Sequence, residues 1–166
     1  MATGIILAGG KSTRMGEDKS MINLNVERLS NELRKSGCER IIVMCGGKER
    51  FPLFTEECVE DSAETLAESL LFVLSKISGR VQLAPCDAYL ADAELFSRID
   101  GVPTDEFGGR QPLLAGFNVE IPLVRSLRIS EMFSPLKSCE GGIKARNINT
   151  PEQLREIQYL LQKVDR

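Results

Sequence analysis

The chain has 166 residues, a formal net charge of −3, 42% hydrophobic residues and no histidine. That length is expected to form one compact domain over 1–166, with a core that needs no disulfide staples. The slight acidity and the lack of a basic block argue against nucleic acid as a partner. Without histidine, Ser-His and Cys-His nucleophile pairs and His-ligated metal sites are excluded. The chemistry is left to carboxylates, lysine, arginine and backbone dipoles.

The apolar stretch Gly4–Ala8 predicts a buried strand, and the segment from Leu7 to Lys19 reads Leu-Ala-Gly-Gly-Lys-Ser-Thr-Arg-Met-Gly-Glu-Asp-Lys. Gly9 and Gly10 let backbone N–H groups approach an anion with no Cβ in the way, and Lys11, Arg14 and Lys19 surround it with positive charge. A polyphosphate is the natural guest. Better-known phosphate loops do not fit: Ile5 stands where a Walker A loop needs its first glycine, and the adjacent glycines break the Gly-x-Gly-x-x-Gly spacing. No apolar stretch approaches the length of a membrane span. The strand pattern starts without a basic leader and apolar signal core, so the chain is expected in the cytoplasm.

Further along, Val26, Leu29 and Leu33 share one helical face, and Arg40–Cys45 reads as a second buried strand. Asp61-Ser62-Ala63-Glu64 has the form of a capping box for a helix whose Leu66, Leu70, Val73, Leu74 and Ile77 face inward, with Gly79 closing it. The strand Val81–Ala84 then runs into Pro85-Cys86-Asp87, and a helix with Leu95, Phe96 and Ile99 inward follows Asp92. After Gly101 the pattern loosens; Leu113–Val119 is expected as a strand and the surroundings of Leu123, Val124 and Leu127 as helical. Thr150 and Pro151 begin a terminal helix with Leu154, Ile157, Leu161 and Val164 along one stripe. Cysteines 38, 45, 58, 86 and 139 form no Cys-x-x-Cys pair and are odd in number, which suits reduced core thiols. The alternation implies a three-layer α/β/α sandwich with a mostly parallel sheet and ligands beyond the carboxyl ends of its strands.

Asp87, just past a parallel strand, is placed to hold one Mg²⁺ together with substrate phosphates. Asn147 and Asn149, two apart on an extended segment, offer their amides in one direction. A helix N-cap explains Asp61 without any ligand.

The Leu7–Lys19 segment resembles the signature loop of nucleotidyltransferases, and in detail that of the molybdenum cofactor guanylyltransferases, Leu-Ala-Gly-Gly-x-Ser-x-Arg-Met-Gly-x-Asp-Lys. Pro85-Cys86-Asp87, Gln111-Pro112-Leu113 and Asn147-Ile148-Asn149-Thr150-Pro151-Glu152 resemble further motifs of that family. The resemblance implies a Rossmann-like nucleotidyltransferase fold and transfer of GMP from GTP to the terminal phosphate of the molybdopterin cofactor. In such a protein Leu7, Ala8, Gly9, Gly10, Lys19 and Asp61 would hold the nucleotide, and Arg14, Lys19 and Asp87 would carry catalysis. Asp87 would bind Mg²⁺; Gln111, Pro112, Asn147 and Asn149 would face the acceptor. Handover to molybdenum enzyme assembly factors is implied in the same way. The chain departs from the pattern at Asp61–Glu68, which lacks the family's glycines, at Asn25–Leu29 in place of Gly-Lys-Pro-Leu, and at Met44–Gly47, which has no asparagine for the base. Cytidylyl transfer to molybdopterin, guanylyl transfer to a corrinoid phosphate, and a non-catalytic nucleotide-binding accessory protein therefore stand as alternatives.

Overall fold

Successive residues of the first strand are buried on opposite sides: Ile5 and Leu7 belong to one apolar cluster, Ile6 and the following Ala8 to another. Burial on both faces is the mark of a central parallel strand between two helical layers. The computed structural model describes residues 2–9, 19–61, 64–146, 152, 153, 155, 156 and 159, with residues 19–23 described in backbone alone. In chain order the elements are β1 (Ala2–Leu7), α1 (Lys19–Lys35), β2 (Cys38–Met44), β3 (Glu57–Val59), α2 (Leu66–Leu74), β4 (Arg80–Pro85), α3 (Ala93–Arg98), β5 (Val102–Thr104), β6 (Gly116–Asn118), α4 (Ile129–Met132) and β7 (Ser138–Glu140). Short 3₁₀ turns occupy Lys48–Leu53, Pro112–Leu114 and Gly142–Ala145.

The main sheet has the order β3-β2-β1-β4-β6; only β6 runs antiparallel, against β4. Helices α1 and α3 cover one face, burying Val26, Leu29, Leu33, Leu95, Phe96 and Ile99. On the other face, Leu70, Val73 and Leu74 of α2 pack with Met132, Phe133 and Leu136 over Val81, Leu83 and Phe117. This is the expected three-layer α/β/α sandwich. β5 and β7 pair separately and in parallel beside it.

Three expectations are corrected. The helix after Asp61 begins at Leu66, and its cap is Thr65, whose side chain accepts the Glu68 N–H at 3.2 Å. Thr65-Leu66-Ala67-Glu68 repeats the capping spacing four residues later, in direct contact with the apolar stripe, and wins for that reason. Leu113–Val119 is not one strand: a 3₁₀ turn led by Pro112 precedes β6, because Pro112 lacks a ladder donor. The region around Leu123, Val124 and Leu127 is not helical. Leu127 is 65% exposed, and the Val124 N–H donates to Met132 O at 3.1 Å instead of closing a helical turn. With Val124 and Leu127 exposed, and Leu123 alone packed on the core, a helix there gains little tertiary support. Of the terminal helix, Glu152, Gln153, Arg155, Glu156 and Tyr159 are helical, while Thr150 and Pro151 lie outside the described residues.

Candidate active site

The register of the parallel ladders decides which residues share a rim. Leu7 pairs with Met44 on one side and with Pro85 on the other, and Met44 pairs with Val59. Bonds one residue further on keep the four chains together: Ala8 N–H to Met44 O at 2.8 Å, Cys86 N–H to Leu7 O at 3.0 Å and Cys45 N–H to Val59 O at 3.2 Å. Gly9, Gly46, Asp61 and Asp87 are each the second residue beyond these aligned ends. Four strands thus deliver two glycines and two carboxylates to one edge of the sheet, where α/β proteins bind ligands.

On the β3 side, the Asp61 carboxylate lies directly against the first glycine of the opening turn. A Cβ on Gly9 would stand 2.3 Å from Asp61 Oδ2, so only glycine allows this approach. The Asp61 N–H donates to Gly46 O at 3.0 Å, which sets the carboxylate over the end of β2, where Gly46 turns at φ +88°. Asp61 Oδ1 is buried and finds no hydrogen-bond partner among the described residues. Burial raises the Asp61 pKa, against the pull of the backbone N–H groups of Asp61 and Gly46 and of the Arg50 charge. An acceptor atom kept dry and unpaired beside a glycine turn is what a ligand donor would satisfy. Arg50, on the 3₁₀ turn Lys48–Leu53, brings its side chain beside Gly46. The motif reading missed it, since only the Gly46-Gly47 turn returns this cation to the rim.

On the β4 side, Asp87 sits in a turn closed by Ala88 N–H to Pro85 O and Tyr89 N–H to Asp87 O, both 3.0 Å. Helix α1 holds that turn from behind. Buried Asn25 donates through Nδ2 to Cys86 O at 2.7 Å, and Arg28 donates to Asn25 Oδ1 at 2.8 Å, Ala88 O at 2.8 Å and Ala91 O at 2.7 Å. Burial lowers the Arg28 pKa, while the Glu32 and Asp92 charges support its positive form. Asn25 and Arg28 stand where the chain departs from the Gly-Lys-Pro-Leu pattern, and here they brace the Asp87 turn. Burial pushes the neighbouring Cys86 thiol up to about 12, so it packs rather than reacts. All five cysteines are unpaired.

Asp87 also lines a cavity of about 370 Å³ with Gln111, Pro112, Leu113, Ile129 and Arg146. The Gln111-Pro112 segment, distant in sequence, is therefore brought to Asp87. Gln111 Nε2 donates to Asp105 Oδ2 at 3.1 Å, which fixes the amide at the mouth of the turn 105–109. A larger groove of about 660 Å³ lies between α2 and the β2–β3 edge, with Ile42, Val59 and Val73 in its lining. It lacks Gly9, Asp61 and Asp87, and its Arg40 and Lys48 are paired with Glu57 and Glu60, so the rim has the better chemistry. Gly10, Arg14, Asn147 and Asn149 lie outside the described residues; Lys19 opens α1, and its side chain is likewise outside them.

A family model for the MobA-like NTP transferase domain matches residues 4–101, more than half of the chain. The matched span takes in Gly9, Asp61 and Asp87 and stops short of Gln111 and Arg146. Among solved structures, a nucleotidyl transferase from Methanothermobacter thermautotroptrophicus superposes with a TM-score of 0.70 at 16% identity, over 98% of this chain and 99% of that one. The 4-diphosphocytidyl-2C-methyl-D-erythritol synthase of Anaerococcus prevotii gives 0.64 at 14% identity over 98% of each chain. A protein of Aquifex aeolicus gives 0.65 at 22% identity, over 93% of this chain and 90% of that one. At such identities the likeness speaks for the fold. No curated protein matches the chain in sequence.

Proposed function

The chain belongs to the MobA-like NTP transferase family, and from that premise we propose that it transfers GMP from GTP to the terminal phosphate of the molybdopterin cofactor, releasing pyrophosphate. Nucleotidyl transfer is the family's chemistry; the base and the acceptor are the proposal. The observation that carries it is the aligned rim, with Gly9 and Asp61 at one end and Asp87 opening onto the Gln111-Pro112 cavity at the other. Donor and acceptor would then meet at the end of β4.

In this reading Leu7, Ala8, Gly9 and Gly10 offer backbone to the triphosphate, Asp61 contacts the nucleoside, and Lys19 and Arg14 neutralise the α-phosphate and the departing pyrophosphate. An acceptor phosphate oxygen attacks the α-phosphorus as the bond to the β-phosphate oxygen breaks, and no general base is required because the nucleophile is already an anion. Asp87 suits Mg²⁺. It is a single carboxylate lining a cavity, and an ion held there would be completed by substrate phosphates. When bound, Mg²⁺ supplies charge stabilisation to the phosphoryl oxygens. Asn147 and Asn149 are proposed with Gln111 and Pro112 as acceptor contacts, and delivery of the product to assembly factors would follow.

Cytidylyl transfer is the second reading, favoured by Met44-Cys45-Gly46-Gly47, which offers no side-chain amide for guanine. Pyrophosphate release from each of the four NTPs, with molybdopterin as acceptor, separates the two. Asp87→Ala is expected to lower turnover by at least about 100-fold, the scale of a lost electrostatic contact in the transition state, while the melting temperature stays within a few degrees. Turnover equal to the parent's would remove Asp87 from the mechanism, and silence with every NTP would leave an accessory role.

A further inference from the structure

We propose that Arg146 holds the phosphate of the acceptor, so that the acceptor is a phosphomonoester clamped across the cavity from Asp87; this rests on the transferase reading above. A phosphomonoester entering the Asp87 cavity brings negative charge towards a carboxylate and a triphosphate. It therefore needs a cation on its own side of the site.

The neighbouring cations are mostly committed. Arg28 is spent on Asn25 and two backbone carbonyls, Arg110 on Ser138 Oγ and the carbonyls of Phe133 and Leu136, and Lys144 on Asp92 at 2.7 Å and Glu94 at 3.1 Å. Arg146 lines the cavity; it too is ion-paired, and its charge also acts on Asp105, but the pairing leaves donors over. Its Nε binds Glu106 Oε1 at 2.5 Å, and its guanidinium lies 4.9 Å from the centre of the Phe107 ring. These two contacts fix the plane of the group and use one of its five donors. Among the described residues, no hydrogen bond engages the two terminal nitrogens. A guanidinium held over a ring and anchored at Nε keeps its two terminal nitrogens for a ligand, and such a pair can bind a phosphate through two parallel bonds.

The platform is itself built for this. Asp105 Oδ1 accepts the N–H groups of Phe107 and Gly109, each at 2.9 Å, and Gly108 turns at φ +83°. The turn presents Phe107 with 78% of its surface exposed, beneath Arg146.

The test is a backbone and arginine-Nε NMR titration of the full chain with phenyl phosphate, repeated with benzyl alcohol. Phenyl phosphate is expected to shift Arg146 Nε–H and the amides of Phe107, Gly108 and Gln111, while the alcohol leaves them still. Arg146→Gln should weaken the titration at least tenfold; Arg146→Lys, which keeps charge but loses the fork, should fall between. Shifts absent from residues 105–111 of the parent, or Arg146→Gln within twofold of it, overturn the assignment. In turnover assays, Arg146→Gln should raise the acceptor KM with little change in that of the NTP; an unchanged acceptor KM contradicts Arg146 alone. Phenyl phosphate binding at Arg146 in a chain that releases no pyrophosphate from any NTP contradicts the transferase reading alone.

Discussion

Asp61 shows how a residue's plainest local explanation can pass to a neighbour. Its sequence context offered a helix cap as an ordinary explanation, and Thr65 takes that place instead. What remains is a carboxylate against Gly9 with one buried oxygen that has no hydrogen-bond partner among the described residues, an arrangement that costs stability. Because burial raises its folded pKa, the native state binds the Asp61 proton more tightly than the unfolded chain does. Stability from this group therefore falls as pH rises from the ordinary carboxylate range through that raised value. Asp61→Asn removes the charge and should raise the melting temperature of the free protein near neutral pH by about 2–4 °C, corresponding to on the order of 1 kcal/mol. The gap should close in acid, where the parent is protonated. The same variant should lose most of the thermal shift given by GTP. Scanning fluorimetry with and without GTP at several pH values reads both effects; an Asn variant less stable than the parent at neutral pH would mean that Asp61 is satisfied after all. Arg28, Arg50 and Arg146 were not legible in this way. Arg28, for example, meets its carbonyls from 60 and 63 residues away, and no local spacing announces such a contact.

Among the elements, those with a stripe that something covers were legible, and those without one were not. Leu95, Phe96 and Ile99 announced α3, and Asp92 caps it by accepting the Leu95 N–H at 3.0 Å. Val26, Leu29 and Leu33 likewise announced the inward face of α1. The stretch around Leu123–Leu127 carried similar apolar residues, but Leu123 alone of the three packs on the core while Val124 and Leu127 are exposed, and the Val124 N–H goes to Met132 O. For α2 the stripe was right and the start was wrong, because two overlapping capping patterns compete in Asp61–Glu68. Thr65→Ala should therefore cost about 1 kcal/mol, the usual worth of a side-chain N-cap, and lower the melting temperature by about 2–4 °C. Asp61→Ala should show no such loss. Denaturant melts of the two variants decide between the patterns, and a larger loss at Asp61 would return the cap to it.

At the scale of the whole molecule, the sheet acts as a ruler. With parallel neighbours about 4.8 Å apart, three steps from β3 to β4 separate the backbone ends of these strands by about 14 Å, and the Asp61 carboxylate crosses part of that span to lie against Gly9 at the end of β1. A nucleotide lying across the strand ends would have its reacting phosphorus towards β4. The cavity beside Asp87 draws on a different part of the chain, Gln111, the Pro112 turn and Arg146, which the matched family span does not reach. Two ligands should then leave two separate footprints on one fold. In hydrogen exchange, GTP with Mg²⁺ is expected to slow the amides of Ala8, Gly9, Cys45, Gly46 and Asp61, and phenyl phosphate those of Phe107, Gly108 and Gln111, since a ligand protects the segments whose opening would expel it. With both present the two sets should add, because β1 and β4 stay paired through Leu7 and Pro85 in either case. If both ligands slowed the same amides, the rim would be one site rather than two, and the division of labour between Asp61 and Arg146 would not stand.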